Sequence, residues 1–353
     1  MPARRNNFDL LRLGFATTVA LVHAHVLSGA AALEPLSRVL SSAVAVHGFF
    51  AISGFLITAS HQRSATLADY AEKRVRRIVP GYAAVVIATA ALGAIATDLT
   101  LAAYLRDAGL WRYLAANLSF LNFLAPSLPG VFAANPTVTA VNGALWSIRV
   151  ELLCYAGVPL LFAATRRLRP AFVLTVALAA CGALAVWLGD RHARTGQEIW
   201  QLLQVELPVP VAYFLCGAAV RIHFAAFERH ARALLAVSLV CVAARWVPAL
   251  APVAEFVLPA ALTVIVLYVA LELPPLGNFA RYGDLSYGIY VWHFPVIQTL
   301  VALGLFAARP FAALALALGC VGTLALLSWH GVERPFLRRD SHYKSASARV
   351  GAR

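Results

Sequence analysis

Residues 8–25 read FDLLRLGFATTVALVHAH, an apolar run that carries one arginine, Arg12, and two histidines, His23 and His25. Arg12 and His23 are eleven positions apart, about three turns of a helix, so a helix places both side chains on nearly the same face. His25 falls on a different face. Ionisable side chains inside a membrane span are costly to hold there and usually mark a functional pathway. A snorkelling arginine and a histidine with a structural hydrogen bond are the alternative interpretation.

The composition places the chain in a membrane. Of its 353 residues, 61% are hydrophobic and 13% are charged, and the mean hydropathy is +0.75. Apolar runs long enough to span a bilayer recur along nearly the whole length, and the first is too long for the core of a signal peptide. We therefore predict an all-α polytopic membrane protein with about ten transmembrane helices, the first of them retained. The predicted spans are residues 10–30, 39–60, 81–98, 144–164, 171–189, 207–222, 233–248, 253–272, 283–305 and 311–332.

The positions of the cations predict the orientation in the membrane. With the amino terminus inside, 20 of the 29 lysines and arginines fall in inner segments and seven fall in outer ones. Cytoplasmic segments of membrane proteins carry an excess of these residues, so both termini are predicted to be cytoplasmic. The net charge of +13 then reflects topology and contact with anionic membrane lipids, and no nucleic-acid partner is expected.

Apolar spans fill almost the whole chain, so we predict one membrane domain over residues 1–336 and a basic cytoplasmic tail over residues 337–353. The five cysteines all fall within predicted spans and show no metal-ligand spacing. The sequence therefore predicts neither a disulfide framework nor a metal site.

Two connections between spans are long. The inner one, ATLADYAEKRVRRIVPGY at residues 65–82, predicts a short amphipathic helix on the membrane surface, with Pro80 in the first turn of the third span. Its basic side chains either bind phosphate or anchor the topology. The outer one, residues 99–143, carries aromatic residues such as Trp111 and Phe123, whose faces suit sugar rings. A loop of that length is usually functional.

Polar or small side chains recur at helical spacing in three further spans. Residues 142–155, NGALWSIRVELLCY, place Ser147, Glu151 and Tyr155 on one face. An acid inside an apolar span is costly unless it is paired. Small side chains in the second span indicate close helix packing, and they are Gly48, Ser53 and Gly54.

The third of these spans contains residues 283–295, GDLSYGIYVWHFP. Ser286, Tyr290 and His293 share one of its faces. For His293, a structural hydrogen bond and a catalytic role both remain open.

Six motifs in this order are similar to those of the acyltransferase-3 family of integral-membrane O-acyltransferases, which modify sugars on bacterial envelope and secreted glycans. The first span has the family's arginine, ten residues and histidine. Residues 45–57 resemble its GVxxFFxISGFLI run, with Ala45 in place of the first glycine. The remaining motifs are RxxRIxPxY at residues 74–82, a WSLxxE-like motif at 146–151, SYxIYxxHxP at 286–295 and ExPF at 333–336.

The resemblance implies an enzyme that moves an acyl group, acetyl above all, from cytoplasmic acyl-CoA to a hydroxyl of a carbohydrate. The acceptor would be an envelope polysaccharide, a lipid-linked sugar or an exported glycan. Acetyl-CoA is then a co-substrate, and no permanently bound cofactor is expected. The implied location is the bacterial inner membrane, crossed many times.

Acyl transfer to a hydroxyl needs a base that takes the hydroxyl proton, and histidine titrates near neutral pH. We predict His23 as this base and Glu151 as the carboxylate that orients it, since no other acid lies so deep in a predicted span. Arg12 is predicted to organise the site or bind the donor. The donor-binding candidates are Lys73, Arg74, Arg77 and Tyr82, and the residues predicted to line the site are Ser53, Asn142, Trp146, Ser147, Tyr155, Ser286, Tyr290 and His293.

A secondary transporter or flippase is the alternative class, because intramembrane arginine, glutamate and histidine also form proton relays. Transporters commonly show inverted repeats and helices broken at corresponding positions, and the sequence shows neither. A purely structural scaffold would leave the ionisable residues of the spans unexplained.

Overall fold

The computed structural model describes residues 6–279 and 283–338, and every regular element in that part of the chain is helical. This confirms the predicted all-α fold. A π-helical turn, Trp329–Glu333, joins the last two helices. The α-helices are α1 (Phe8–Ser28), α2 (Glu34–Val39), α3 (Ser42–Arg63), α4 (Leu67–Ala96), α5 (Leu101–Arg106), α6 (Ala108–Leu118), α7 (Trp146–Thr165), α8 (Pro170–Thr195), α9 (Glu198–Glu206), α10 (Pro208–Ile222), α11 (Phe224–Ala243), α12 (Ala251–Leu271), α13 (Leu285–Ala302), α14 (Leu305–Ala308), α15 (Pro310–Ser328) and α16 (Arg334–Phe336).

All ten predicted spans fall on helices. Eight helical segments of the described chain are long and apolar enough to cross a bilayer, which identifies a multi-pass membrane protein. The other two predicted spans lie on α11, whose first turns carry three charged residues, and on α13, which carries a row of polar side chains. The count of ten crossings therefore stays a prediction.

The inner connection differs from its prediction. The expected surface helix and the third span form a single helix, α4, which continues through Pro80. A proline removes one backbone hydrogen bond, and inside a membrane protein neighbouring groups can compensate for that loss. The charged first part, where Arg76 Nε lies 2.7 Å from Glu72 Oε1, is thus continuous with the apolar part of the helix.

The chain forms two compact units, each assembled from several stretches of sequence. The predicted domain over residues 1–336 stays a prediction, and residues 339–353 of the predicted tail lie outside the described residues. The first unit contains Met1–Leu11, Val46–Tyr70 and Val150–Gly277, and the second contains Arg12–Ala45, Ala71–Arg149 and Asn278–Arg353.

In the first unit, α3 and α10 cross at two glycines. A Cβ on Gly54 would lie 2.0 Å from the carbonyl oxygen of Phe214, and one on Gly217 would lie 2.1 Å from that of Ala51. Because a side chain cannot fit at that distance, glycine is required on both helices. The predicted close packing of small residues in the second span is confirmed at Gly54.

The first unit also compensates for a proline. Pro159 lies inside α7 and has no N–H for the carbonyl of Tyr155 four residues earlier. Tyr70 Oη donates a hydrogen bond to that carbonyl over 2.8 Å. This contact allows α7 to continue as a helix through its proline.

In the second unit, α13 packs against α15, and a Cβ on Gly288 would lie 2.8 Å from the Cα of Ala325. The part of α1 that begins at Arg12 lies alongside α13. Arg12 contacts Asp284 just before α13 begins, and His23 contacts His293 farther along it. Arg12 and His23 therefore share one face of α1, as the sequence predicts.

Candidate active site

A pair of histidines lies between α1 and α13. His23 Nδ1 is 2.8 Å from His293 Nε2, and the ring centroids are 5.0 Å apart. His293 is completely buried, whereas His23 is half-buried. His23 therefore keeps an exposed edge, while His293 supports it from the protein interior.

Aromatic rings enclose the histidine pair. The Phe294 ring stands edge-on to His23 with centroids 5.7 Å apart, and the Tyr290 ring lies 5.7 Å from His293. Gly143 makes room for Phe294, since a Cβ there would lie 2.8 Å from the Cζ atom of that ring. The Tyr290 and Phe294 rings thus pack against His293, which is completely buried.

Asn142, predicted to line the site, supports α13 beside His293. Pro295 has no N–H, so the carbonyl of Val291 four residues earlier loses its helical partner. Asn142 Nδ2 donates to that carbonyl over 2.8 Å. The contact satisfies a buried polar group and fixes the helix at the position from which His293 projects.

Ser147 and Tyr290, also predicted to line the site, contact each other. Ser147 Oγ lies 2.6 Å from Tyr290 Oη and also donates to the carbonyl of Ala144. Trp146 is half-buried at the first position of α7. The start of α7 is thus joined to α13 by hydroxyl contacts one turn from His293.

The side chain of Gln298, near the carboxyl end of α13, binds the outer connection to this helix. Its Nε2 donates to the carbonyls of Val138 and Ala140 over 2.8 and 2.9 Å. Asn135 Nδ2 in turn donates to Gln298 Oε1 over 2.8 Å. Thr137 Oγ1 donates to a carbonyl near the end of α1. One short segment therefore contacts both helices about one turn beyond the histidine pair.

The opposite end of α1 and α13 holds four charged side chains, Arg12, Arg77, Asp284 and Glu333, which we term the four-charge cluster. Asp284 Oδ2 lies 2.5 Å from Arg12 Nη1 and from Arg77 Nη2. Arg77 Nη1 is 3.1 Å from Glu333 Oε2. The side chains of Asp284 and Glu333 are only 3% and 1% exposed. Each buried carboxyl group thus contacts at least one guanidinium group, as buried charged groups require a partner.

Hydroxyl groups complete the cluster. Ser286, predicted to line the site, donates from Oγ to Asp284 Oδ1 over 2.5 Å, and Ser328 Oγ donates to Glu333 Oε1 over 2.9 Å. Gly283 has a φ of +100°, and a Cβ there would lie 2.0 Å from Trp329 Nε1. Only glycine accommodates that backbone and that approach, so Gly283 sets the position of Asp284 at the start of α13.

Asp284 and Glu333 are two buried acids of the four-charge cluster that the sequence did not single out. The sequence points to Glu151 as the acid deepest in a predicted span, whereas in the structure Asp284 and Glu333 are buried and Glu151 is half-buried. Asp284 lies two positions before the first residue of the SYxIYxxHxP motif, and Glu333 opens the ExPF motif. An acid in or beside a family motif was the available signal.

The predicted donor-binding residues lie along α4. Lys73 and Arg74 are half-buried in its charged first part. Arg77 bonds two carboxylates, so a phosphate would have to share it with them. Tyr82 is fully buried, with its ring 4.3 Å from that of Phe120 in the outer connection. Lys73 and Arg74 are more accessible than Tyr82, and the donor role of all four residues stays a prediction.

Ser53, Glu151 and Tyr155 form a separate polar cluster in the first unit. Ser53 Oγ and Tyr155 Oη both donate to Glu151 Oε1, over 2.8 and 2.6 Å. Within the described part of the chain, no cation contacts this carboxylate. The predicted pairing of Glu151 with His23 stays a prediction, since the two residues belong to different units. The ring nitrogen that such a pairing would use, His23 Nδ1, bonds His293.

Comparisons with known proteins identify the family. Residues 5–329 match the model of the acyltransferase-3 family, described as an acyltransferase domain. The chain is 32% identical to nodulation protein 10 of Rhizobium leguminosarum bv. viciae, over 95% of this chain and 94% of that protein. It is 26% identical to an O-acetyl transferase of Shigella phage Sf6, over 96% and 98% of the two chains. No solved structure matches the chain.

A polytopic helical fold that carries a histidine pair between two of its helices suits a membrane-embedded transferase. The chain belongs to the acyltransferase-3 family. The resemblance drawn from six motifs is therefore confirmed, as is the prediction of an acyltransferase enzyme. The transporter or flippase alternative is set aside.

Proposed function

We propose that the protein moves an acyl group, acetyl in the first instance, from acyl-CoA on the cytoplasmic side to a hydroxyl of a carbohydrate. The observation that carries this proposal is the half-buried His23 in an apolar helix, 2.8 Å from His293. The relative that is named an O-acetyl transferase supports both the acetyl group and a hydroxyl acceptor. The acceptor would be an envelope polysaccharide, a lipid-linked sugar or an exported glycan at a bacterial inner membrane.

The proposed reaction moves one proton and exchanges one bond. The acceptor oxygen attacks the carbonyl carbon of the thioester, the carbon–sulfur bond breaks, and the hydroxyl proton passes to the free ring nitrogen of His23. His23 then returns this proton to the CoA thiolate, so the enzyme ends unchanged. The chemistry needs a general base and no permanently bound cofactor.

Lys73 and Arg74 are the proposed contacts for the phosphates of CoA, because arginine and lysine are the usual partners of phosphate oxygens. Both lie in the charged first part of α4, about one turn before Arg77 and the four-charge cluster. In this proposal Arg12 organises the site by holding Asp284 at the start of α13. The donor would thus enter at the end of α13 opposite to Gln298.

Transfer of label tests the proposed function directly. Purified protein in nanodiscs is incubated with radiolabelled acetyl-CoA and candidate envelope glycans, and label in the glycan is measured. We expect transfer by the wild type and about 10²-fold less by His23→Ala. Label that reaches no glycan above the no-enzyme control, or equal transfer by both proteins, would contradict the proposal.

The proposed side of the donor is tested by cysteine labelling in intact cells. Ala65 and Ala133 are both exposed and lie in predicted inner and outer connections. A membrane-impermeant maleimide should label Ala133→Cys and should miss Ala65→Cys until the cells are opened. The reverse pattern would place the donor site outside.

A further inference from the structure

We infer that His293 is a positioning residue that fixes the tautomer of His23 and leaves Nε2 of His23 as the basic nitrogen. The consequence for rate rests on the proposed function. The tautomer itself is a property of the resting protein and can be observed without substrate.

The first step concerns the proton on His293. Its Nδ1 lies 3.3 Å from the carbonyl oxygen of Ile289, one turn earlier in α13. A carbonyl oxygen only accepts hydrogen bonds, so Nδ1 of His293 must carry the hydrogen. A neutral imidazole has one N–H, which leaves Nε2 of His293 as an acceptor.

The second step concerns the proton on His23, which follows from the protonation of His293. His293 Nε2 lies 2.8 Å from His23 Nδ1, so His23 Nδ1 must donate. His23 Nε2 is then unprotonated, and it has no hydrogen-bond partner among the residues that the structure describes. Because His23 is half-buried while His293 is completely buried, His23 is the ring that can meet a substrate.

Both rings are expected to be neutral in the resting protein. A charged imidazole in a buried site needs a counter-charge, and in the described chain no carboxylate contacts either ring. The nearby elements supply Phe294, Tyr290 and the backbone of α13. The carboxylates of the four-charge cluster bond arginines at the other end of the helices. The tautomer is therefore set by hydrogen bonds and not by a charge.

His293 is itself held from several sides. Asn142 fixes the backbone of α13 at Val291, and Gln298 fixes the helix about two turns beyond Val291. A base that is held in one orientation by fixed neighbours loses little freedom during the reaction. In hydrolase triads a carboxylate holds the base in its tautomer, and here a second, neutral imidazole occupies that place.

Nitrogen NMR measures the tautomer. The histidine rings are labelled with ¹⁵N in the full chain in nanodiscs, and the His23 signals are identified by their loss in His23→Ala. In the wild type we expect His23 protonated on Nδ1 and unprotonated on Nε2. A proton on Nε2 of His23 overturns the inference, whether or not acyl transfer is detected. If His23 shows the expected tautomer but the protein transfers no acyl group, the proposed function is wrong and the tautomer assignment is still correct.

Two variants connect the tautomer to the rate. His293→Phe keeps a ring of similar shape but has no acceptor, so His23 should lose its single tautomer and kcat should fall about 10²-fold or more. The KM for acetyl-CoA should stay unchanged. His293→Gln offers an amide oxygen to His23 Nδ1 and should restore kcat to within about tenfold of the wild type, while a merely structural role would give no such rescue.

A matched control, at the half-buried His47, separates this effect from the general cost of replacing a histidine by phenylalanine. His47 stacks on Tyr213 in the first unit with centroids 4.2 Å apart, and His47→Phe should keep wild-type kcat and the His23 tautomer. An unchanged His23 tautomer in His293→Phe, or a folded His293→Gln that is as slow as His293→Phe, overturns the inference. If His293→Phe fails to fold, the wild-type spectrum and His293→Gln still decide it.

Discussion

The two ends of the α1 and α13 pair differ in charge. At one end Arg12 meets Asp284 inside a cluster of two positive and two negative side chains. At the other end His23 meets His293, and no charged group of the described chain contacts either ring. Ion pairs between buried side chains join helices to one another, whereas a neutral imidazole can accept a proton near neutral pH. We term the end with the ion pairs the structural end, and the end that holds the proposed base, His23, the reactive end.

The two ends depend on each other through helix geometry. Arg12 and His23 are separated by about 16 Å along α1, at 1.5 Å per residue. Because α13 contacts both residues, the ion pair at one end fixes how far α1 can slide along α13. The four-charge cluster thus sets the register in which the two histidines meet.

The largest expected effect is on the reactive end. His23→Ala removes the proposed base, so acyl transfer should fall by about 10²–10⁴-fold while folding is kept. The measurement is the initial rate of acetyl transfer in nanodiscs. His25 bonds the carbonyl of Ala30 at the end of α1, and His25→Ala should keep most of the activity. A His23→Ala protein with more than about a tenth of the wild-type rate would show that the base lies elsewhere.

The Glu151→Gln variant tests whether Glu151, a residue of the first unit, assists His23. If Glu151 assists His23, as the sequence predicts, Glu151→Gln should lower the rate by a similar order. The double variant with His23→Ala should then lose little more than either single variant, because residues that act as a unit are not additive. If the rate loss of the double variant equals the product of the two single losses, Glu151 acts separately from His23, in the cluster with Ser53 and Tyr155.

A change at the structural end should lower the free energy of unfolding of the protein. Asp284→Asn removes the carboxylate that Arg12 and Arg77 both contact, and breaking a buried pair in this way costs about 3–5 kcal/mol. Unfolding of the purified protein measures this loss. Asp190 pairs with Arg194 on an exposed helix surface, and Asp190→Asn should change stability by less than about 1 kcal/mol. An Asp284→Asn protein of wild-type stability would remove the distinction between the two ends.

The smallest expected effect is on the affinity of the protein for CoA. Replacing Lys73 and Arg74 by Gln should weaken CoA binding severalfold, since partly exposed charge contacts contribute about 0.2–1 kcal/mol each. The loss should be larger at low salt, where screening is weaker. Calorimetry checks it, with Arg76→Gln as the control, because Arg76 lies on the same helix and pairs with Glu72. Equal CoA affinity in the Lys73/Arg74 variant and the wild type would move the donor site away from α4.

The sequence predicted the membrane fold well because a span is a local property. The length of each apolar run and its helical period identified the helices, and the motif order identified the family. The break expected at Pro80 was wrong, because the sequence does not show which groups compensate for a proline in a membrane helix. In the same way, only the structure shows that Asn142 satisfies the carbonyl freed by Pro295.

The sequence by itself determined which side chains lie on one face of a helix, and so it placed Arg12 with His23 and Glu151 with Tyr155. Tertiary structure alone decided their partners: His293 is 270 positions from His23, and Asp284 is 207 positions from Arg77. The physical reason is that a helical period shows which face is buried, while the choice of neighbouring helix depends on the summed fit of many weak contacts. Burial at span ends, which hides Asp284 and Glu333 from water, depends on that same fit.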